Sequence, residues 1–105
     1  MSRIKERLIK EKKLDEKDFV SPSFPTDEDL LLVHTPDYIE KIKKGNLSIF
    51  EIFTLELPYS PRLRDASFLT VGGTILACYH ALETGVGIHL GGGFHHAFPD
   101  HGEGF

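Results

Sequence analysis

At 105 residues, with 40% hydrophobic and 27% charged side chains, the chain has room for at most one small domain with a modest core. A net charge of −4 and a pI near 5.8 argue against a general nucleic-acid binder. One cysteine, Cys78, excludes an internal disulfide framework and any Cys-x-x-Cys zinc site, and no apolar run is long enough to span a bilayer. The charged start Met1-Ser2-Arg3-Ile4-Lys5-Glu6 lacks the apolar stretch of a signal peptide, so a cytoplasmic location is expected. Seven of the twelve Lys and Arg residues lie within the first seventeen positions, and none follows Arg64. The basic start reads as a solvated helical face, and the long stretch after Arg64 as interior and site.

Residues 3–13 set Ile4, Leu8 and Ile9 on one side among Lys, Arg and Glu, which predicts an amphipathic helix with Leu14 as a candidate extension. Phe19-Val20-Ser21 is expected to be a short extended segment, ended by Pro22 and Pro25. Thr26 is an N-cap candidate, and Asp27, Glu28 and Asp29 suit the positive end of a helix dipole. Thr35 caps a further helix that begins at Pro36 and stops at Gly45, with Lys41, Lys43 and Lys44 in its last turn. His34, just ahead of it, is expected to be structural rather than a ligand. Residues 46–59 are apolar enough for a short helix or a packed loop, ended by Pro58.

Ser60-Pro61 opens the longest helical signal, running to about Glu83 with Gly85 as its stop and Asp65 as a candidate break. From Ala66 onward it is apolar around most of its circumference, which predicts a buried helix with Cys78 as a small buried hydrophobe. Gly72-Gly73 in its middle would each cost about 1 kcal/mol relative to alanine. Close approach of a neighbouring backbone is the expected compensation. A short strand is expected over 85–90, with His89 structural, leading into a glycine-rich loop. One strand here and a weak one near Phe19 do not make a sheet, so most of a parallel sheet is expected to lie outside this chain.

The last fifteen residues carry the chemistry. Gly91-Gly92-Gly93 precedes Phe94-His95-His96, a flexible approach to two side chains suited to proton transfer near neutral pH. The glycines lack the G-x-G-x-x-G spacing, and no P-loop lysine follows. Adjacent histidines on a loop are expected to point apart and to serve two roles rather than hold one ion together. Their orienting carboxylates are expected elsewhere than Asp100 and Glu103, which are too near in sequence.

Gly91-Gly92-Gly93-Phe94-His95-His96-Ala97, followed by Gly102-Glu103-Gly104-Phe105, resembles the His-His active-site motif of the histone deacetylase family. That family also holds acetoin-utilisation proteins and acetylpolyamine amidohydrolases and has the arginase/deacetylase fold. Gly72-Gly73-Thr74-Ile75-Leu76-Ala77 resembles its "GGT-x-x-A" helix, and His34-Thr35-Pro36-Asp37-Tyr38-Ile39 its "vH-x-x-x-Yi" segment. The wording of the loop is most like the class IV deacetylases and their bacterial relatives.

The resemblance implies an α/β, three-layer fold with a parallel sheet, of which residues 1–105 would be a single partial domain, the helix-rich N-terminal portion. It implies a zinc-dependent hydrolase acting on acetylated lysine or a small acetylated amine. His95 would be hydrogen-bonded to the metal-bound water and the substrate carbonyl, and His96 would be the general base and acid. Gly104, Phe105 and Phe94 would be substrate-binding, the first two along the acyl-lysine tunnel, and Phe94 and Pro99 would support or line the loop. The family's zinc ligands, an Asp-x-His pair and a later Asp, are not located here, nor are its oxyanion tyrosine and its early His-Pro-x-x-x-x-Arg segment. No metal ligand and no tightly bound zinc are therefore expected of this chain, and catalysis by it alone is not. Two other readings remain. One is a short protein that binds or oligomerises through exposed apolar surface. The other is a metal-binding module of His95, His96, His101 and Glu103. Neither a membrane nor direct nucleic acid is expected as a partner.

Overall fold

A computed structural model of the chain describes residues 2–93 and 95–103. Five α-helices follow one another: α1 (Ser2–Lys10), α2 (Asp27–Leu31), α3 (Pro36–Lys44), α4 (Ile49–Leu55) and α5 (Pro61–Thr84), with a single 3-10 turn at Glu16–Asp18. No strand occurs among the described residues, only an isolated antiparallel bridge between Ala97 and Gly102. The segments expected as strands near Phe19 and over 85–90 are unpaired. Extended backbone becomes a strand only when a neighbour takes up its N–H and C=O groups, and neither segment has one here.

Helix α1 stops three residues short of the expected span. Lys12 adopts a left-handed conformation (φ 55°), which turns the chain so that the Lys13 N–H donates to the Leu8 carbonyl at 3.0 Å. The turn after it is fastened back to α1: Lys5 pairs with Glu16 and stands 5.2 Å over the Phe19 ring.

The caps of α2, α3 and α5 fall where the sequence placed them. Thr26 and Asp29 form a reciprocal capping box, Thr35 accepts from the Tyr38 N–H at 3.3 Å, and Ser60 accepts from the Leu63 N–H at 3.0 Å. Gly45 ends α3 at φ 75°, and a Cβ there would come within 2.6 Å of the Tyr59 ring, whose hydroxyl donates to the Ile42 carbonyl. The ambiguous stretch resolves as α4. Its cap is a second reciprocal box between Ser48 and Glu51, with Lys41 donating to the same carboxylate at 2.8 Å.

Helix α5 is continuous through Asp65 and is not a buried helix in this chain. Gly72 and Gly73 are its buried residues, whereas Leu69, Val71, Leu76 and Cys78 are exposed and Leu82 is 84% exposed. All-round apolar character predicts burial only if something packs on every side, and here a single side is covered. On that side the glycines do admit close contact. A Cβ on Gly72 would lie 1.9 Å from the Ser23 carbonyl oxygen, and one on Gly73 would lie 2.6 Å from the His89 ring.

The buried apolar side chains among the described residues are Leu30 (6% exposed) on α2 and Ile39 (7%) on α3, and none is fully buried, so what core there is lies at these two helices. The accessible surface is 8117 Å², against about 5,900 Å² for a folded monomer of this mass, an excess of about 2,200 Å². The radius of gyration, 15.6 Å, likewise exceeds the roughly 13 Å of a compact chain this long.

Candidate active site

The histidine-bearing loop reaches the core through the entrance of α3. Leu30, buried under α2, accepts from the His34 N–H at 2.8 Å, which sets His34 at the corner between the two helices. The His34 ring lies 5.6 Å from that of Tyr38, one turn into α3. Its Nδ1 is 3.0 Å from the Phe98 carbonyl oxygen, and the Thr35 N–H donates to the Pro99 carbonyl at 2.8 Å. The hydrogen-bond partner of His34 is thus the histidine-bearing loop itself.

Residues 97–102 form a small hairpin. The Ala97–Gly102 bridge closes it, and the Phe98 N–H donates to the His101 carbonyl at 3.3 Å. The Phe98 and His101 rings stack at 4.3 Å and 7°. At the tip, His101 Nδ1 donates to Asp100 Oδ1 at 2.8 Å, and this bond holds the Asp100 carboxyl below its ordinary range. Gly102 is pressed into the corner, where a Cβ would come within 2.7 Å of the Leu55 side chain and 3.1 Å of the Tyr38 hydroxyl. A cavity of about 80 Å³ remains beneath it, lined by Tyr38, Glu51, Thr54 and Leu55 with His101 and Gly102. Burial, then the nearby Glu51 carboxylate, raise the pKa of the Tyr38 hydroxyl above its ordinary value.

His95 and His96 are exposed, and among the described residues neither has a hydrogen-bond partner. Their rings do not point apart as expected. They lie 4.0 Å apart at 48°. Asp100 is hydrogen-bonded to His101. Phe94, Gly104 and Phe105 lie outside the described residues.

No three His, Cys, Asp or Glu side chains converge among the described residues, and the four weighed as a metal module do not assemble. The described residues thus do not fit a zinc site. A larger cavity, about 380 Å³, lies away from the histidines between α2 and α5. Its charges are already matched, Lys43 with Asp27 and Arg64 with Asp65.

Sequence reasoning found the two histidines but missed the clamp at His34 and Thr35, which joins positions 64 residues apart. Its one local sign was a histidine immediately before a capped helix.

Comparison with known proteins places these features in a family. The sequence model described as "Histone deacetylase domain" matches residues 1–105. An uncharacterised protein of Picosynechococcus is 40% identical over 84 residues, covering 80% of this chain and 28% of that protein. The acetoin utilization protein AcuC of Bacillus subtilis is 36% identical over 102 residues (87% and 26%), and histone deacetylase 2 of Arabidopsis thaliana 33% over 108 residues (93% and 27%). The chain spans little more than a quarter of the length of the curated relatives it matches.

Proposed function

The chain belongs to the histone deacetylase family, and we propose that it supplies the N-terminal portion of a catalytic domain that hydrolyses an N-acyl amine. Acetylated lysine, or a small acetylated amine, is the substrate class. The observation that carries this reading is the tandem His95-His96 on a glycine-rich approach, with its following residues tied to the entrance of α3.

In this reading His96 takes a proton from the attacking water and returns one to the departing amine, the two halves of general base and acid catalysis. His95 donates a hydrogen bond where negative charge builds on the acyl oxygen. Phe94, Gly104 and Phe105 line the passage for the apolar stem of the substrate. Zinc, as the electrophile, belongs to the complete enzyme, with ligands from outside the described residues. So do the carboxylates that orient the histidines and the parallel sheet against which α5 would pack. The exposed apolar side chains of α5 support that last point, since a sheet laid on them would bury what this chain leaves bare. Alone, the chain is inactive in this reading, and its setting is the cytoplasm. No helix of the described residues is long and apolar enough to cross a membrane.

The test is hydrolysis of an acetyl-lysine peptide and an acetylated polyamine by the full-length, zinc-loaded protein and by its His96→Ala variant. Activity should fall by about 10²–10⁴-fold while metal analysis still finds zinc. Wild-type turnover in the variant would end the proton-transfer assignment.

A second reading is favoured by the surface excess and by Ile49, Phe50 and Phe53, which α4 leaves exposed. It makes the chain a binding or self-associating protein without catalysis. Light scattering on the 105-residue chain separates the two: a monodisperse oligomer supports association, and open-ended aggregation supports a part of a larger domain.

A further inference from the structure

We propose that His34 is a positioning residue for the tandem histidines, acting through a hydrogen bond from its Nδ1–H to the Phe98 carbonyl. The inference rests on the deacetylase reading of His95 and His96. A carbonyl oxygen can only accept, so at 3.0 Å the proton between these groups must reside on Nδ1 of His34. The neighbouring carbonyl, that of Pro99, is held at the same time by the Thr35 N–H at 2.8 Å. Two successive donors at the start of α3 thus grip two successive carbonyls of the loop. That fixes both its distance from the helix and its register along it.

The grip is backed by the core. The His34 N–H is bonded to buried Leu30, and the Thr35 hydroxyl caps the helix whose Ile39 is buried. On the far side of the histidines the described residues show no comparable grip. A Cβ on Gly92 would meet no atom within 4 Å, and one on Gly93 would only graze the Thr70 methyl at 3.8 Å. His96 stands two residues from the held carbonyl of Phe98, so this side of the loop sets where the imidazole falls. Displacing a catalytic group by about 1 Å can cost about 100-fold in rate. A donor that prevents such displacement acts on turnover more than on substrate affinity.

Three measurements on the full-length, zinc-loaded protein test the clamp. With an acetyl-lysine peptide as substrate, His34→Ala should lower kcat by about 10- to 100-fold and leave KM within about threefold. His34→Asn carries an amide N–H near the place of Nδ1 and should recover most of that loss. Thermal unfolding of each variant separates a change in turnover from a loss of folded protein. Wild-type kcat in His34→Ala, or an Asn variant as impaired as Ala, overturns the proposal. The ring state is read independently from ¹⁵N spectra of histidine-labelled wild-type protein, in which Nδ1 of His34 should carry a slowly exchanging proton. A ring protonated on Nε2 alone overturns the clamp whether or not the protein is active. An inactive wild-type protein with the expected Nδ1–H would sink the deacetylase reading and leave the hydrogen bond standing.

Discussion

The corner between α2 and α3 and the histidine segment beside it are built on opposite terms. At the corner, Leu30 and Ile39 are buried, helix α3 is capped, and the Phe98 and Pro99 carbonyls are both taken up. A few residues away, His95 and His96 are exposed, their rings lie 4.0 Å apart, and among the described residues neither is hydrogen-bonded to a carboxylate. The described residues therefore anchor the loop that carries the histidines without hydrogen-bonding their rings. Acid–base histidines need partners to fix tautomer and orientation, and in this family reading those partners come from elsewhere in the domain.

The sharpest test of this contrast uses His96→Ala, because it should divide activity from stability. The full-length protein should lose about 10²–10⁴-fold in rate, while the unfolding temperature of the 105-residue chain stays within about 2 °C, since there the His96 side chain is exposed and has no hydrogen-bond partner among the described residues. A large drop in unfolding temperature would mean that the histidines carry packing that the contrast denies them.

Gly102→Ala should do the reverse at the corner. Its Cβ would come within 2.7 Å of Leu55 and 3.1 Å of the Tyr38 hydroxyl, so the hairpin must shift or the corner must loosen. The expected cost is about 1–3 kcal/mol in denaturant unfolding, with faster amide exchange at Thr35. An unchanged midpoint with unchanged exchange would show that the corner is softer than its contacts imply.

The smallest effect is electrostatic and lies just behind the hairpin. A hydrogen bond from Lys41, then bonds from the Ser48 backbone and side chain, hold the Glu51 carboxyl down to about 2 from its ordinary 4.5. A carboxyl lowered in the folded state stabilises the fold fully above its ordinary value and loses that contribution as pH falls from about 4.5 toward 2. Glu51→Gln preserves the capping geometry and removes the charge. Wild-type protein should unfold slightly later than the variant at pH 6, and the gap should close by pH 2. A gap that persists at pH 2 would assign the stabilisation to packing rather than to charge.

Particular residues show how far the sequence could be read. Thr26, Thr35, Pro36, Gly45, Ser60 and Gly85 punctuate the helices where propensity places them, since capping is a matter of neighbours within four positions. The box formed by Ser48 and Glu51 had the same local signature yet left 46–59 ambiguous, because the apolar run around it fitted more than one structure. The stop of α1 at Lys10 was not legible, since it depends on a lysine taking a left-handed conformation that its side chain does not favour. The tandem histidines and the tight glycine pair on α5 stood out by composition alone.

What the sequence determined by itself is thus the succession of capped helices and the family the chain belongs to. The tertiary structure alone decided that His34 meets the Phe98 carbonyl, that α5 buries its glycines while Leu69, Leu76 and Leu82 stay exposed, and that residues 85–90 pair with no strand among the described residues. Helix caps are satisfied within a turn of chain, whereas burial and strand pairing require surfaces brought from far away in the sequence. Where such a surface is present, at the α2–α3 corner, apolar pattern becomes core. Where none is present, the same pattern remains exposed.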